Sequence, residues 1–147
     1  MVYEKQVTKP MARFSVSVEV ANNDDLAAVR RGALEPSKVR RLTIPGVVDT
    51  GASRLVLPKR VVDDLGLIIT GQIKVKDADR RVAKRPVVEE VYIGLQGRHG
   101  VFRATVERKR ETALIGAIVL EDLDFLVDPL KERLVPRDPK FIVAEIE

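Results

Sequence analysis

Val47-Val48-Asp49-Thr50-Gly51-Ala52-Ser53 is the stretch of this chain whose residue types could do chemistry. An apolar run delivers a carboxylate onto a tight turn, and a hydroxyl and a glycine follow at once. A buried carboxylate needs hydrogen-bond donors nearby, or it protonates. Gly51 lets the backbone bring its own N–H groups near Asp49, in conformations that a Cβ would hinder. A carboxylate held this way suits general acid–base work on a water molecule. The same residues also suit a plain surface turn in which Asp49 only caps the reversal. The rest of the chain has to decide between the two.

Other chemistries are narrowed by composition. The 147 residues contain no Cys, which removes disulfides, thiolate metal sites and cysteine nucleophiles together, and a cytoplasmic setting is expected. A single residue, His99, would have to serve any Ser-His-Asp triad, and a histidine metal cluster within one chain is disfavoured. Neither a metal nor an organic cofactor is expected. No apolar run approaches membrane-spanning length, and Met1 to Pro10 has no signal-peptide core. Net charge is +4, with basic pairs such as Arg40-Arg41 and Arg80-Arg81 and the run Arg108-Lys109-Arg110. Acidic residues are interspersed, and two Tyr, four Phe and no Trp offer few stacking platforms, so a solvated basic surface is favoured over nucleic-acid binding.

The elements that must position Asp49 are short strands and turns. Phe14 to Val20 alternates apolar and polar residues, as a half-buried strand does. Asn22-Asn23-Asp24-Asp25 supplies helix caps for Leu26 to Val29, ended by Gly32, and residues 22–38 read as an insertion. Val39 to Val48 is the strand that ends at Asp49, and Pro45-Gly46 within it suggests a bulge or an edge position. Leu55-Val56-Leu57 is a strand, and Pro58 opens a helix through Leu65 that Gly66 stops. Ile73 to Lys76 and Arg81 to Val82 flank the polar turn Asp77-Ala78-Asp79-Arg80 as a hairpin. Val87 to Leu95 and Gly100 to Glu107 are further strands, with His99 in an exposed turn between them. Ala113 to Leu120 is a second apolar island, read by itself as a buried strand. Leu123 to Val127 and Arg133 to Val135 flank a turn at Asp128-Pro129. This pattern favours an all-β domain, folded or closed on itself, over a parallel α/β sheet.

In its order of parts the chain resembles the retropepsin-like, single-domain aspartic proteases, bacterial members included. The likeness rests on Val48-Asp49-Thr50-Gly51-Ala52-Ser53, then Leu55-Val56-Leu57-Pro58 and a helix, a hairpin at 75–82 in the flap's place, and Leu114-Ile115-Gly116 as the second apolar-Gly motif before a short helix. It implies a closed acid-protease barrel with one to three short helices, one lobe per chain, over residues 12–136. Residues 1–11 would form an N-terminal segment and 137–147 a tail. It implies a catalytic Asp49 supported by Thr50 and Gly51, with Ala52, Ser53, Asp77, Ala78 and Asp79 against a polypeptide substrate. The chain holds one Asp-Thr-Gly, so two carboxylates that share a proton require a homodimer about a two-fold axis.

Two departures accompany the likeness. The turn at Asp77 to Arg80 has no glycine, where family flaps commonly carry one. The family's second glycine is often followed by an arginine paired to an acid just after Asp-Thr-Gly, and here Ala117 and Ser53 take those places. Losing both partners leaves no charge unpaired. Dimer contacts would then come from the insertion or from the apolar tail Phe141 to Ala144. These departures keep a second function open, a dimerisation or peptide-binding module on the same fold with weak or no proteolysis.

Overall fold

The computed structural model describes residues 13–146, so the N-terminal segment assigned to 1–11 and the expected first domain residue, 12, lie outside the described residues. Strand occupies 49% and helix 17%, and the class is all-β. Six strands close into a barrel in the order β1 (Arg13–Asn22), β2 (Arg41–Asp49), β7 (Ala113–Ile115), β3 (Leu55–Pro58), β6 (Arg98–Glu107) and β5 (Val82–Leu95), which pairs back to β1. Closure gives each wall strand a neighbour on both sides over at least part of its length. β4 (Ile69–Lys76) pairs with β5 alone, so these two strands extend from the barrel as an arm. β8 (Phe125–Asp128) and β9 (Arg133–Pro136) form a separate antiparallel hairpin. Three short helices complete the fold, α1 (Asn23–Arg30), α2 (Lys59–Asp64) and α3 (Ala117–Asp122).

Alternation along β1 puts Phe14, Val18 and Val20 inside and Arg13, Ser15 and Ser17 outside. Val48, Leu55, Leu57, Ile93 and Ile115 are fully buried in the same core, with Val61, Val62 and Leu65 of the α2 turn closing one end. Pro45 causes no bulge. The β1–β2 register runs unbroken through Ser17↔Pro45 and Val16↔Gly46, and β7 joins β2 only from Gly46. The missing N–H of Pro45 therefore falls where the second side of β2 has no ladder to interrupt. A Cβ on Gly46 would stand 3.1 Å from Val18 and 3.3 Å from Ile115, so the glycine makes room for both.

Two expectations change at β5. The segments expected at Arg81 to Val82 and Val87 to Leu95 merge into one strand of fourteen residues, Val82–Leu95, with Arg81 just before it. Its first half pairs with β4 in the arm and its second half with β6 and β1 in the wall. The register shifts between Val88 and Val91, with Glu90 at φ 60°, where the strand turns from arm into wall. Pro86 is tolerated because β6 joins only from Val87. His99 is exposed but lies in β6 opposite Gly94, its ring stacked 5.5 Å from that of Tyr92. The turn itself is Gln96-Gly97, both with positive φ.

The 22–38 region folds as α1 and a 3-10 turn at Pro36–Lys38. Asn22 caps α1 by accepting from the Asp25 N–H. Asp25 then accepts from the Arg40 backbone N–H at 3.0 Å and from its guanidinium at 2.9 Å twice. The second apolar island is divided. Ala113–Ile115 is strand, Gly116 ends it, and Ala117 begins α3, as the resemblance implied.

Candidate active site

β2 carries Asp49 to the end of the barrel wall, and β7 supplies its support. β2 and β3 follow each other in the chain but are not neighbours, because β7 lies between them. β7 runs parallel to β2 with Val48 opposite Ile115, and antiparallel to β3 with Val56 opposite Leu114. The loop from Asp49 to Arg54 must therefore pass over the end of β7. Gly116 lies directly beneath it. A Cβ there would stand 2.5 Å from the Arg54 carbonyl oxygen, 2.6 Å from the Arg54 nitrogen and 2.8 Å from the Ser53 carbonyl carbon. Its φ of −95° suits any residue. Space, not conformation, demands the glycine.

The crossing is fastened by hydrogen bonds. The Ala117 N–H donates to the Ala52 carbonyl at 2.9 Å, and the Ile118 N–H to the Ser53 carbonyl at 3.0 Å. The first turn of α3 thus finds partners for amides that a helix start leaves unsatisfied. Backbone bonds join the two segments at the positions where the resemblance places an ion pair. Within the loop, the Gly51 N–H donates to Asp49 Oδ1 at 2.9 Å, and the Ala52 N–H to the Asp49 carbonyl at 3.1 Å. Arg13 stands opposite Asp49 on β1, and its Nε lies 3.5 Å from Asp49 Oδ2. The Asp49 side chain is 16% exposed.

Asp49 opens into a cleft of about 810 Å³ lined also by Gly51, Ala52, Leu114, Asp77 and Ala78. The arm thus brings its tip against the loop from across the barrel end. Ser53, Thr50, Asp79, Ile115 and Gly116 lie off the cleft lining: Ile115 and Gly116 are buried behind the loop, while Thr50, Ser53 and Asp79 are exposed. Without a glycine, the tip is held by Asp77. Its N–H donates to the Arg81 carbonyl, and its carboxylate accepts from the Asp79 and Arg81 N–H groups, each at 2.9 Å. Arg80 takes the left-handed position at φ 64° that completes this three-residue loop.

Sequence reasoning missed Arg13, Lys76, Glu107, Lys109 and Arg110, which line the same cleft. The run Arg108 to Arg110 was visible as charge, but its place beside Asp49 follows from β6 pairing with β3. Arg110 donates from Nε to the Thr112 carbonyl at 2.8 Å. Burial, and secondly the charge of Arg13, hold its guanidinium below its ordinary value, against the pull of Glu107 and Asp49. Among the described residues no group of three or more His, Asp or Glu side chains could hold a metal ion, and no described helix is long and apolar enough to cross a membrane. No protein-family model matches the chain, and no curated protein matches it.

Proposed function

We propose that this chain is one protomer of a homodimeric, retropepsin-like aspartic endopeptidase. The observation that carries the reading is the seating of the Asp49 loop on Gly116, with Asp49 opening into one cleft that the β4–β5 tip also lines. In the dimer each Asp49 faces its symmetry mate, Thr50 hydroxyls bridge the two loops, and one proton is shared between the carboxylates. The ionised carboxylate takes a proton from water as that water attacks the scissile carbonyl. The protonated one gives its proton to the carbonyl oxygen. Collapse of the tetrahedral intermediate breaks the C–N bond as the amide nitrogen gains a proton. The substrate is an extended polypeptide held between Gly51-Ala52 and the tip at Asp77-Ala78. No cofactor enters the reaction, and the cysteine-free chain suits the cytoplasm.

The test compares the protein with Asp49→Asn on an unstructured polypeptide, from acidic to neutral pH. Cleavage that the substitution abolishes is the expected outcome. Equal cleavage by both, or none by either in a solution shown to be dimeric, overturns the proposal. Inhibition by a hydroxyl-bearing transition-state mimic adds the mechanism, since its OH stands where the water does. The ion pair between Arg13 and Asp49 favours a second reading, a peptide-binding module with an occupied carboxylate. Peptide binding without cleavage at any pH would select it.

A further inference from the structure

Beside the Asp49 cleft, and sharing Glu107 and Lys109 with it, is a second hollow of about 550 Å³ between the arm, the end of β6 and the start of α2. Its charge is one-sided. Lys59, Lys84, Arg85, Arg108 and Lys109 surround a single carboxylate, Glu107. Two of the cations are already partnered, Arg85 with Glu107 at 2.8 Å and Lys59 with Asp63 at 2.6 Å. Among the described residues, Lys84, Arg108 and Lys109 take part in no ion pair. Three like charges around a concave surface repel one another and raise the local concentration of anions.

We infer that this hollow is an anion site for acidic side chains of a polypeptide that continues out of the Asp49 cleft. The inference rests on the proteolytic reading for its substrate, and deepens it by naming acidic segments beside the cut. Continuity carries the choice of occupant. Lys109 lines both spaces, so one extended chain lying in the cleft would pass directly into the basic hollow. Among the described residues no aromatic side chain lines either space, so none of them offers the stacking platform that a single-stranded nucleic acid uses. Within the Asp49 cleft the carboxylate of Asp77 is taken up by turn amides, and Glu107 by Arg85, so neither opposes an incoming acid freely.

The test uses the full chain carrying Asp49→Asn, with labelled oligoglutamate, oligoglutamine of equal length and oligothymidylate as probes. Oligoglutamate is expected to bind about tenfold tighter than oligoglutamine at low salt, and to lose that margin as salt screens it. Lys84→Glu with Arg108→Glu should weaken oligoglutamate binding about tenfold and leave oligoglutamine unchanged. Lys84→Gln with Arg108→Gln, with an unaltered melting temperature, gives a smaller loss in the same direction and guards against misfolding. Equal binding of the two peptides, or charge reversal without effect, overturns the site. Oligothymidylate binding tighter than oligoglutamate through the same residues also overturns it, in favour of a nucleic-acid surface. Cleavage by the unsubstituted chain separates the two ideas. Oligoglutamate binding without any cleavage sinks proteolysis alone, and cleavage indifferent to flanking Glu or Gln sinks the anion site alone.

Discussion

Gly116→Ala places a methyl group against the backbone of the loop that carries Asp49. The added Cβ would stand 2.5 Å from the Arg54 carbonyl oxygen and 2.6 Å from the Arg54 nitrogen. A normal contact is about 3.5 Å, so the loop has to retreat by roughly 1 Å. Backbone cannot swing aside as a side-chain tip can. Overpacking of this kind costs about 1–3 kcal/mol. The retreat also stretches the bonds from Ala117 to Ala52 and from Ile118 to Ser53, each contributing about 0.5–1.5 kcal/mol. Together the loss is about 2–6 kcal/mol. At roughly 3 °C per kcal/mol for a chain of this size, melting should fall by about 6–18 °C. Gly71→Ala is the control, since nothing lies within 4 Å of its Cβ position, and it should stay within about 0.5 kcal/mol of the parent. Urea unfolding and thermal melts followed by circular dichroism measure both. If Gly116→Ala melts with the parent, the close approach is not what requires glycine, and the reasoning fails. Where the protein cleaves peptides, a shift of about 1 Å in the Asp49 loop should lower kcat about a hundredfold.

Three further outcomes are expected. Hydrogen bonds from the Arg40 side chain, opposed by burial and helped by the Arg40 N–H, hold the Asp25 carboxyl below its ordinary value of 3.8. The unfolded chain therefore binds that proton first, so the stability from Asp25 is complete above pH 3.8 and lost as pH falls below it. Asp25→Asn should cost about 1–2 kcal/mol at neutral pH, with Arg40 half exposed, and the gap should close in acid; a gap constant with pH refutes the linkage. Asp77→Ala removes the acceptor of the Asp79 and Arg81 N–H groups, so amide exchange at those two positions should quicken about fivefold while the melting temperature holds. Asp124→Ala removes the carboxylate that accepts from Arg137 Nε and stands 3.7 Å from Arg98, whose side chain is only 17% exposed, and should cost about 3 kcal/mol in urea unfolding. Asp124→Asn keeps an acceptor at that φ of 63° and should cost less.

Residue order along the chain specifies local features. Two-residue periodicity located β1, because facing a core on one side writes alternation into the chain, and short apolar segments beside turns located β6 and the β8–β9 hairpin. Capping and turn chemistry placed α1 after Asn22, the reversal at Asp77 to Arg80, and the stops at Gly32 and Gly66, because each depends on residues a few positions apart. Asp49-Thr50-Gly51 was legible as a tight carboxylate loop for the same reason. Pairing was decided elsewhere. The insertion of β7 between β2 and β3, the opposition of Arg13 to Asp49, and the passage of β5 from arm to wall each join segments far apart in the chain. A strand's own pattern says which face it buries, not which neighbour completes its ladder. Gly116 shows the difference most plainly. Its backbone angles would admit any residue, and only the crossing of the Asp49 loop above it explains why no side chain stands there.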